Sequence, residues 1–520
     1  MMALLKKVLV TFGAISAGLL LVFSALLLWP LPEIPRQGVS GDFLIRNVNV
    51  VDVEAGTLLR AQDVLVKHGQ IVSVQASGSP PRQSLQVIDG TDRYLMPGLW
   101  DMHTHSTKLA SQYQHPLFIA NGVTGVRDMW GCMSEPDSFF ACIEDRLRWN
   151  GALDDRTGLS PRYVGQSSYQ INGGNEVPAG YPAFLKARTP GEARELANFY
   201  ANAGATFLKT YSELSAESYF AMADEARAIG VSMQGHRPFS VSLLEALAAG
   251  QKSIEHGRLF LFECHPEAAD FRNLADPLGA YTLAFRAKLV DEHDELRCQE
   301  LMAAMANSDT WWTPTLLTMK MGARAGDSDY RNDPRLKYVP FLFKALMWAP
   351  DADRKVTDSE KTPGRNVYAD MYDLAVKNVA QAHQAGIKIL VGTDVFDTYV
   401  FPGSSVHDEL AELVDAGLSP SAAIRAATIS AAIFSGKEHE LGSISAGKVA
   451  DMVLLDANPL QDIRSTRRIR GVFFNGEYFD RPALDALLVF AERQASSVHN
   501  NVHIFWSAIN SPLLRVQFAD

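Results

Sequence analysis

The chain has 520 residues, 47% of them hydrophobic, enough to bury a large core and to hold more than one domain. A formal charge of −11 without a long basic run disfavours nucleic acid as a partner. There is no internal repeat and no long low-complexity tract.

In chain order, the first message is apolar. Lys6-Lys7 precede an uncharged run from Val8 to Pro30, long enough to cross a bilayer. The positive-inside rule puts the lysines in the cytoplasm and everything after Pro30 outside. A cleaved signal peptide would carry a shorter core and a small-residue cleavage site, and Ser24–Pro30 offers no clear one. The reading is an uncleaved anchor over 1–30, with a secreted protein as the outcome if it is cleaved. A proline-bearing linker follows over 31–42.

Phe43–Val51, Asp63–Lys67 and Gln70–Val74 form a β-rich piece within 43–95. The run Leu95-Met-Pro-Gly-Leu-Trp-Asp-Met-His-Thr-His105 then delivers two imidazoles one residue apart. On a strand, positions i and i+2 point to the same side, so His103 and His105 can reach one cation. Further strand-like runs are Gly122–Met129, Tyr163–Ile171, Ala205–Tyr211, Val231–His236, Ser253–Gly257, Trp311–Leu316 and Ile387–Asp394. Lys209, His236, His256 and Asp394 lie near the ends of four of them. Helix-like stretches Glu192–Ala203, Ala216–Ile229, Leu243–Ala249 and Leu374–Ala385 lie between or before them. Strands alternating with helices predict a parallel sheet, and eight strands is the count for a (β/α)8 TIM barrel, here over 96–439. In that fold chemistry gathers at the carboxyl ends of the strands, where these candidates fall.

After the barrel, Val453–Leu455 and Gly471–Phe474 with Asn475-Gly476 as a hairpin signal give a second β-rich piece over 440–480. The extension 481–520 holds a helix-like Ala483–Gln494 and an apolar cluster, His503-Ile-Phe-Trp506, whose default is packing on the body. Of the cysteines, Cys132 and Cys142 bracket one loop, and Cys264 and Cys298 bracket a later segment. Two local disulfides are the simplest of three pairings and fit an extracytoplasmic location; four reduced thiols stand beside them as the alternative. His383 and His407 lie in helix or loop contexts and are left out of the site.

The motifs PGLWDMHTH, GVTGVRDM, FLKTY, MQGH, SIEHG and LVGTD, in that order, resemble the metal-dependent amidohydrolase superfamily. Leu418–Thr428 and Leu441–Asp451 match as well, so the resemblance covers about residues 43 to 480. It is strongest to the imidazolonepropionase-like and prolidase-like branch. The resemblance implies that the two β-rich flanks combine into a small β-sandwich. It also implies two divalent metals, zinc first: His103, His105 and Asp394 on one, His236 and His256 on the other, and Lys209 carboxylated as the bridge. Asp394 would in addition relay a proton from the attacking hydroxide to the leaving nitrogen.

Arg237 and Tyr211 are read as substrate contacts. The loops Cys132–Asn150 and Asn172–Pro182, with the segment Cys264–Asn307, are expected to shape the pocket. The implied activity is hydrolysis of an amide in a small molecule such as a dipeptide or N-acyl amino acid. The alternatives are a cyclic amide, a lactone or a phosphotriester on the same site, or a membrane-tethered metal-binding barrel without activity. A homo-oligomer is left open.

Overall fold

The computed structural model describes residues 2–78, 85–133, 137–174 and 177–517. Met2–Leu28 is one helix, apolar on every face from Val8 onward. Its exposed leucines and valines make no core with the rest of the chain. An apolar all-round surface is what a helix needs in lipid and what a helix in water avoids.

The two β-rich flanks join into one hydrogen-bonded sheet of nine strands. The junction is the antiparallel pairing of Met452–Leu455 with Tyr94–Pro97, which itself runs beside Phe43–Asp52. Alternating side chains of these strands, among them Phe43, Ile45, Val64, Met452 and Phe473, close over a single core. Asn475 (φ 51°) and Gly476 (φ 79°) both take positive φ, as the tight turn between Ile469–Phe474 and Glu477–Asp480 requires. Within the expected linker, Val39–Ser40 adds to the sheet edge against Glu477–Tyr478, and Arg36 pairs with Glu477. The segment 31–42 is therefore not a free tether.

The remaining strands are parallel. Leu99–Thr104, Val123–Asp128 and Arg162–Tyr163 pair in order. Ser167–Ile171, Phe207–Thr210, Ser232–Gly235, Ser253–Glu255 and Trp311–Thr313 form a second parallel set. The expected strand over Tyr163–Ile171 is thus two short pieces, and Trp311–Leu316 is a strand only to Thr313. Residues 387–395 pair irregularly, by isolated bridges Trp312↔Ile389 on one side and Thr104↔Val395 on the other. These bridges link the last strand of one set to the first strand of the other, so the sheet curls.

Helices cover the outside. Pro190–Asn202 starts on a capping box of Thr189 and Glu192, and Ala216–Ile229 on Ser215, ending at Gly230 in the left-handed region. Each buries one side against the strands through residues such as Leu196, Tyr200, Tyr219 and Met222. Strands buried on both faces read as near-continuous apolar runs, which is the pattern of Leu99–Thr104 and Val123–Asp128.

Cys132 is bonded to Cys142 (Cα–Cα 5.0 Å) and Cys264 to Cys298 (4.8 Å). Arg481–Ser496 is helical and packs through Leu484, Leu487 and Phe490. The apolar cluster 503–506 lies in a further helix, Val498–Asn510, and packs on the body through Ile504, which is buried in the main core. Its Trp506 instead meets Phe23 of the N-terminal helix edge-on.

Candidate functional site

His103, His105, Lys209, His236, His256 and Asp394 come together at one end of the parallel strands, and all are buried. The ligand-type atoms of His103, His105 and Asp394 lie within 4.8 Å of one another. His105 Nε2 is 2.7 Å and His103 Nε2 3.3 Å from Asp394 Oδ1. His103 Nε2 and His105 Nδ1 are buried and have no hydrogen-bond partner among the described residues. An orphaned buried acceptor is costly, and a cation satisfies a neutral imidazole there. Burial, together with the Lys209 ammonium, pushes the His105 imidazole down to about 3, so it stays neutral and available.

The backbone is forced at two of these positions. Asp394 (φ 64°) and His256 (φ 77°) both take left-handed φ, which costs about 1–3 kcal/mol and clusters at functional sites. Asp394 N–H donates to His103 O at 2.7 Å, and the preceding Thr393 donates from N–H and Oγ1 to Asp101. The turn carrying Asp394 is thus pinned to the strand carrying the His pair.

Second partners orient the rings. His103 Nδ1 is 3.0 Å from Glu255 Oε2, and the Arg127 guanidinium is 2.9 and 3.0 Å from the two Glu255 oxygens. Burial pushes the Glu255 carboxyl up, but Arg127 and His103 outweigh it and hold the group at about 2. His256 Nδ1 meets Thr315 Oγ1 at 2.9 Å, and His236 Nδ1 meets Ser212 Oγ at 2.8 Å. The two Nε2 atoms of His236 and His256 are 2.8 Å apart, so one donates to the other. Arg258 Nη2 lies 3.1 Å from His236 Nδ1 and can only donate, which puts the His236 proton on Nε2. Binding a cation between these rings requires the other tautomer, with Ser212 accepting from Nδ1–H and Arg258 released.

Lys209 is fully enclosed, and burial pulls its ammonium down to about 8 despite the Asp394, Glu255 and Asp128 carboxylates. Burial pushes Asp394 up, yet His103 and His105 reverse this and hold it well below the usual carboxylate range. Asp397, three residues on, is pushed to about 7 by burial and by the Asp394 charge.

The cavity over this cluster holds about 530 Å³. Trp130, Phe139, Met347, Phe396 and Leu514 form its apolar wall, with Tyr211 stacked on His236 at 4.1 Å between ring centroids. A second cavity of about 670 Å³ shares Arg258, Thr318, Met347 and Asp397 with it.

Two expectations fail. Arg237 does not face the cavity: its guanidinium bonds Pro238 O and Val241 O and sits 3.1 Å from buried Glu263. Arg258 lines the cavity instead. The segment Cys264–Asn307 does not line this cavity among the described residues; Tyr281 and Arg286 from it line the adjoining one. Of the loops expected to shape the pocket, 132–150 contributes Phe139, and both it and 172–182 lie partly outside the described residues. Glu255, Arg258, Asp397, Met347 and Leu514 escaped the sequence reading.

Residues 372–478 match the amidohydrolase family. The curated relatives include a dihydroorotase from Carboxydothermus hydrogenoformans, 37% identical over 101 residues, which are 18% of this chain and 23% of that protein. The chain thus spans about a quarter of the length of the curated relatives it matches. Solved structures match over far more. A candidate prolidase from Bifidobacterium longum is 25% identical, with a TM-score of 0.59 over 87% of this chain and 99% of that one. Over residues 372–478 the chain is thus similar to the amidohydrolase family, and its fold is that of the candidate prolidase. A bottromycin amidohydrolase has the same fold, with a TM-score of 0.63 at 22% identity over 87% of this chain and 90% of that one. The family typically uses divalent metals, and the His103, His105 and Asp394 group fits one by its donor set and by the orphaned His103 Nε2 beside Asp394.

Proposed function

We propose that this chain is a membrane-anchored hydrolase of amide bonds in small molecules, built on a (β/α)8 barrel over 96–439 with a small β domain from 43–95 and 440–480. The single observation that carries the reading is the convergence of four imidazoles, a carboxylate and a buried lysine at one end of the parallel strands. The eighth strand of the barrel is 387–395, which bridges Thr104 and Trp312. The anchor reading of 1–30 rests on a helix of 24 apolar-rich residues whose most apolar stretch contributes no residue to the buried core. It leaves the catalytic domain outside the cytoplasm, where the two disulfides are at home.

His103, His105 and Asp394 would hold one divalent metal, zinc first, and His236 and His256 a second, with Lys209 as a carbamate between them. Bound there, the metals would lower the pKa of water and polarise a carbonyl. The protein's own groups do the rest. Glu255, Ser212 and Thr315 fix three imidazoles through Nδ1, so that Nε2 faces the centre. Asp394, ionised and aimed into the cavity, takes the proton of the attacking water and passes it to the leaving nitrogen. Tyr211 offers a phenol beside His236 for the carbonyl oxygen, and Arg258 offers a guanidinium for a substrate carboxylate. The apolar wall excludes water and accepts an aliphatic or aromatic side chain.

Linear amides, such as dipeptides and N-acyl amino acids, are favoured over cyclic ones. The support is the candidate prolidase, whose fold matches over 99% of its length at 25% identity. The test offers the zinc-loaded protein a panel of dipeptides, N-acyl amino acids, cyclic amides and lactones, with hydrolysis read as new amine for the amides and as released acid for the lactones. Turnover of linear amides supports the reading. Turnover of lactones or cyclic amides alone replaces the substrate class, and no turnover by folded, metal-loaded protein overturns it.

A further inference from the structure

The last helices of the chain, beyond the segment matched by the family, tie the catalytic cavity to the N-terminal helix. His499 Nε2 donates to Trp29 O (3.0 Å), His503 Nε2 to Leu26 O (3.1 Å), and Trp506 meets Phe23 at 6.0 Å between ring centroids. The two imidazoles satisfy carbonyls that the end of an α-helix leaves open. The order of these contacts makes Val498–Asn510 antiparallel to Met2–Leu28 along its last two turns. Phe23 is five residues inside the helix end at Leu28, which at 1.5 Å per residue is roughly 8 Å.

The outer side of this tail helix is apolar and uncovered. Val498, Phe505, Trp506 and Ile509 are 71, 44, 47 and 43% exposed, and the 13 residues of the helix include no Asp, Glu, Lys or Arg. Phe341, 62% exposed, extends the surface across a groove of about 320 Å³ lined by Leu342, Val498, Val502 and Phe505. A contiguous apolar face on a protein marks an interaction surface, and one containing Trp suits the boundary between acyl chains and headgroups. On its other side the same helix is fixed to the cavity wall. Ser138 Oγ donates to Ser507 O (2.7 Å), Ser511 Oγ to Asp137 Oδ2 (3.0 Å), and Leu514 and Phe139 line the cavity.

We propose that the face formed by Val498, Phe505, Trp506, Ile509 and Phe341 is seated in the outer boundary layer of a lipid bilayer, beside the point where the anchor emerges. The occupant is lipid because the face is continuous with the apolar helix and lies at the depth of its last two turns, within the roughly 5–10 Å that interfacial helices reach. The wall at Leu514 is then held against the lipid surface, and the catalytic domain cannot swing on its anchor. This inference rests on the anchor reading, and the test separates the two.

The full chain is reconstituted in phosphatidylcholine–phosphatidylglycerol vesicles carrying an acyl-chain spin label. A thiol-reactive fluorophore is placed at Ile509→Cys, at Leu20→Cys within the anchor, or at Leu296→Cys on the exposed body. Phe505→Cys replaces the first variant if that one does not fold. The expected result is quenching at 509 comparable to that at 20 and about two-fold or more above that at 296. Quenching at 20 with position 509 at the level of 296 overturns the proposal while leaving the anchor intact. Cross-linking of 509 to 509 between copies also overturns it, by identifying a second copy as the occupant. No quenching at 20 removes the anchor reading and the proposal with it.

Discussion

Replacing Glu255 by Gln separates two tasks of one buried carboxylate. The group holds His103 at 3.0 Å and the Arg127 guanidinium at 2.9 and 3.0 Å, all out of contact with water. Glutamine keeps the shape and removes the charge. If its amide nitrogen faces His103, Nδ1 must accept and Nε2 carries the proton toward the centre of the site. If its oxygen faces His103, the amide nitrogen faces a guanidinium that can only donate. Either arrangement weakens His103 as a donor of electrons to a metal, and loss of such an orienting partner typically lowers metal affinity by about 10–100-fold, or about 1.4–2.7 kcal/mol. Separately, Arg127 is left buried without its counter-charge, which costs about 3–5 kcal/mol of stability. The stability effect is the larger, so metal affinity is measured by chelator competition only on protein whose circular dichroism is native. The double variant Arg127→Met/Glu255→Gln discriminates further: it removes the stranded charge and recovers stability, but not metal affinity. Wild-type metal affinity in Glu255→Gln, or recovery of both properties in the double variant, refutes the reasoning.

Asp394→Asn keeps the fold and lowers amide turnover by about 10²–10⁴-fold, checked by initial rates beside thermal unfolding. Arg258→Gln raises KM for substrates with a free carboxylate and leaves their uncharged amides unaffected, whereas Arg237→Gln leaves Glu263 to Arg272 alone and shows instead as a loss of about 1–3 kcal/mol in denaturant unfolding. For Lys209 the sign follows from its pKa of about 8 against an ordinary 10.5. At pH 7 about one amine in ten is neutral, against about one in 3,000 for a free lysine, and the neutral form is the one that adds carbon dioxide. Bicarbonate-dependent reactivation of metal-free protein therefore rises with pH to a midpoint near 8, and a midpoint above 10 contradicts the burial argument. The same shift adds stability to the metal-free protein as pH rises from about 8 toward 10.5, since the unfolded chain there holds the extra proton. Removing the longer disulfide with Cys264→Ser/Cys298→Ser lowers stability by about 2–4 kcal/mol, read as a shift in denaturant midpoint.

The six clustered residues were legible because each closes an apolar run, and strand ends share one side of a parallel sheet. Helices with strong local signals were legible too: Ala216–Ile229 begins after Ser215 and ends before Gly230, where the sequence places its cap and its stop. Arg237 misled because the strand ends at Gly235, and beyond it the chain turns so that Arg237 runs to buried Glu263. Arg258 opens the helix Arg258–Glu263 just after left-handed His256, a turn that the sequence does not announce. The strand pieces over 163–171 and 387–395 are short and irregular, and their pairing is fixed by partners far along the chain rather than by local propensity. The contacts of His499 and His503 with the N-terminal helix link residues 470 and 477 positions apart, and Leu514 reaches a cavity whose other walls come from 103 to 397, for which no local pattern exists.

The most direct test of the account is the metal content of the folded full chain, offered zinc and then freed of excess, by elemental analysis against protein concentration. The account predicts two metals per chain, falling in His103→Ala and His236→Ala. Folded protein that retains no metal at all contradicts it.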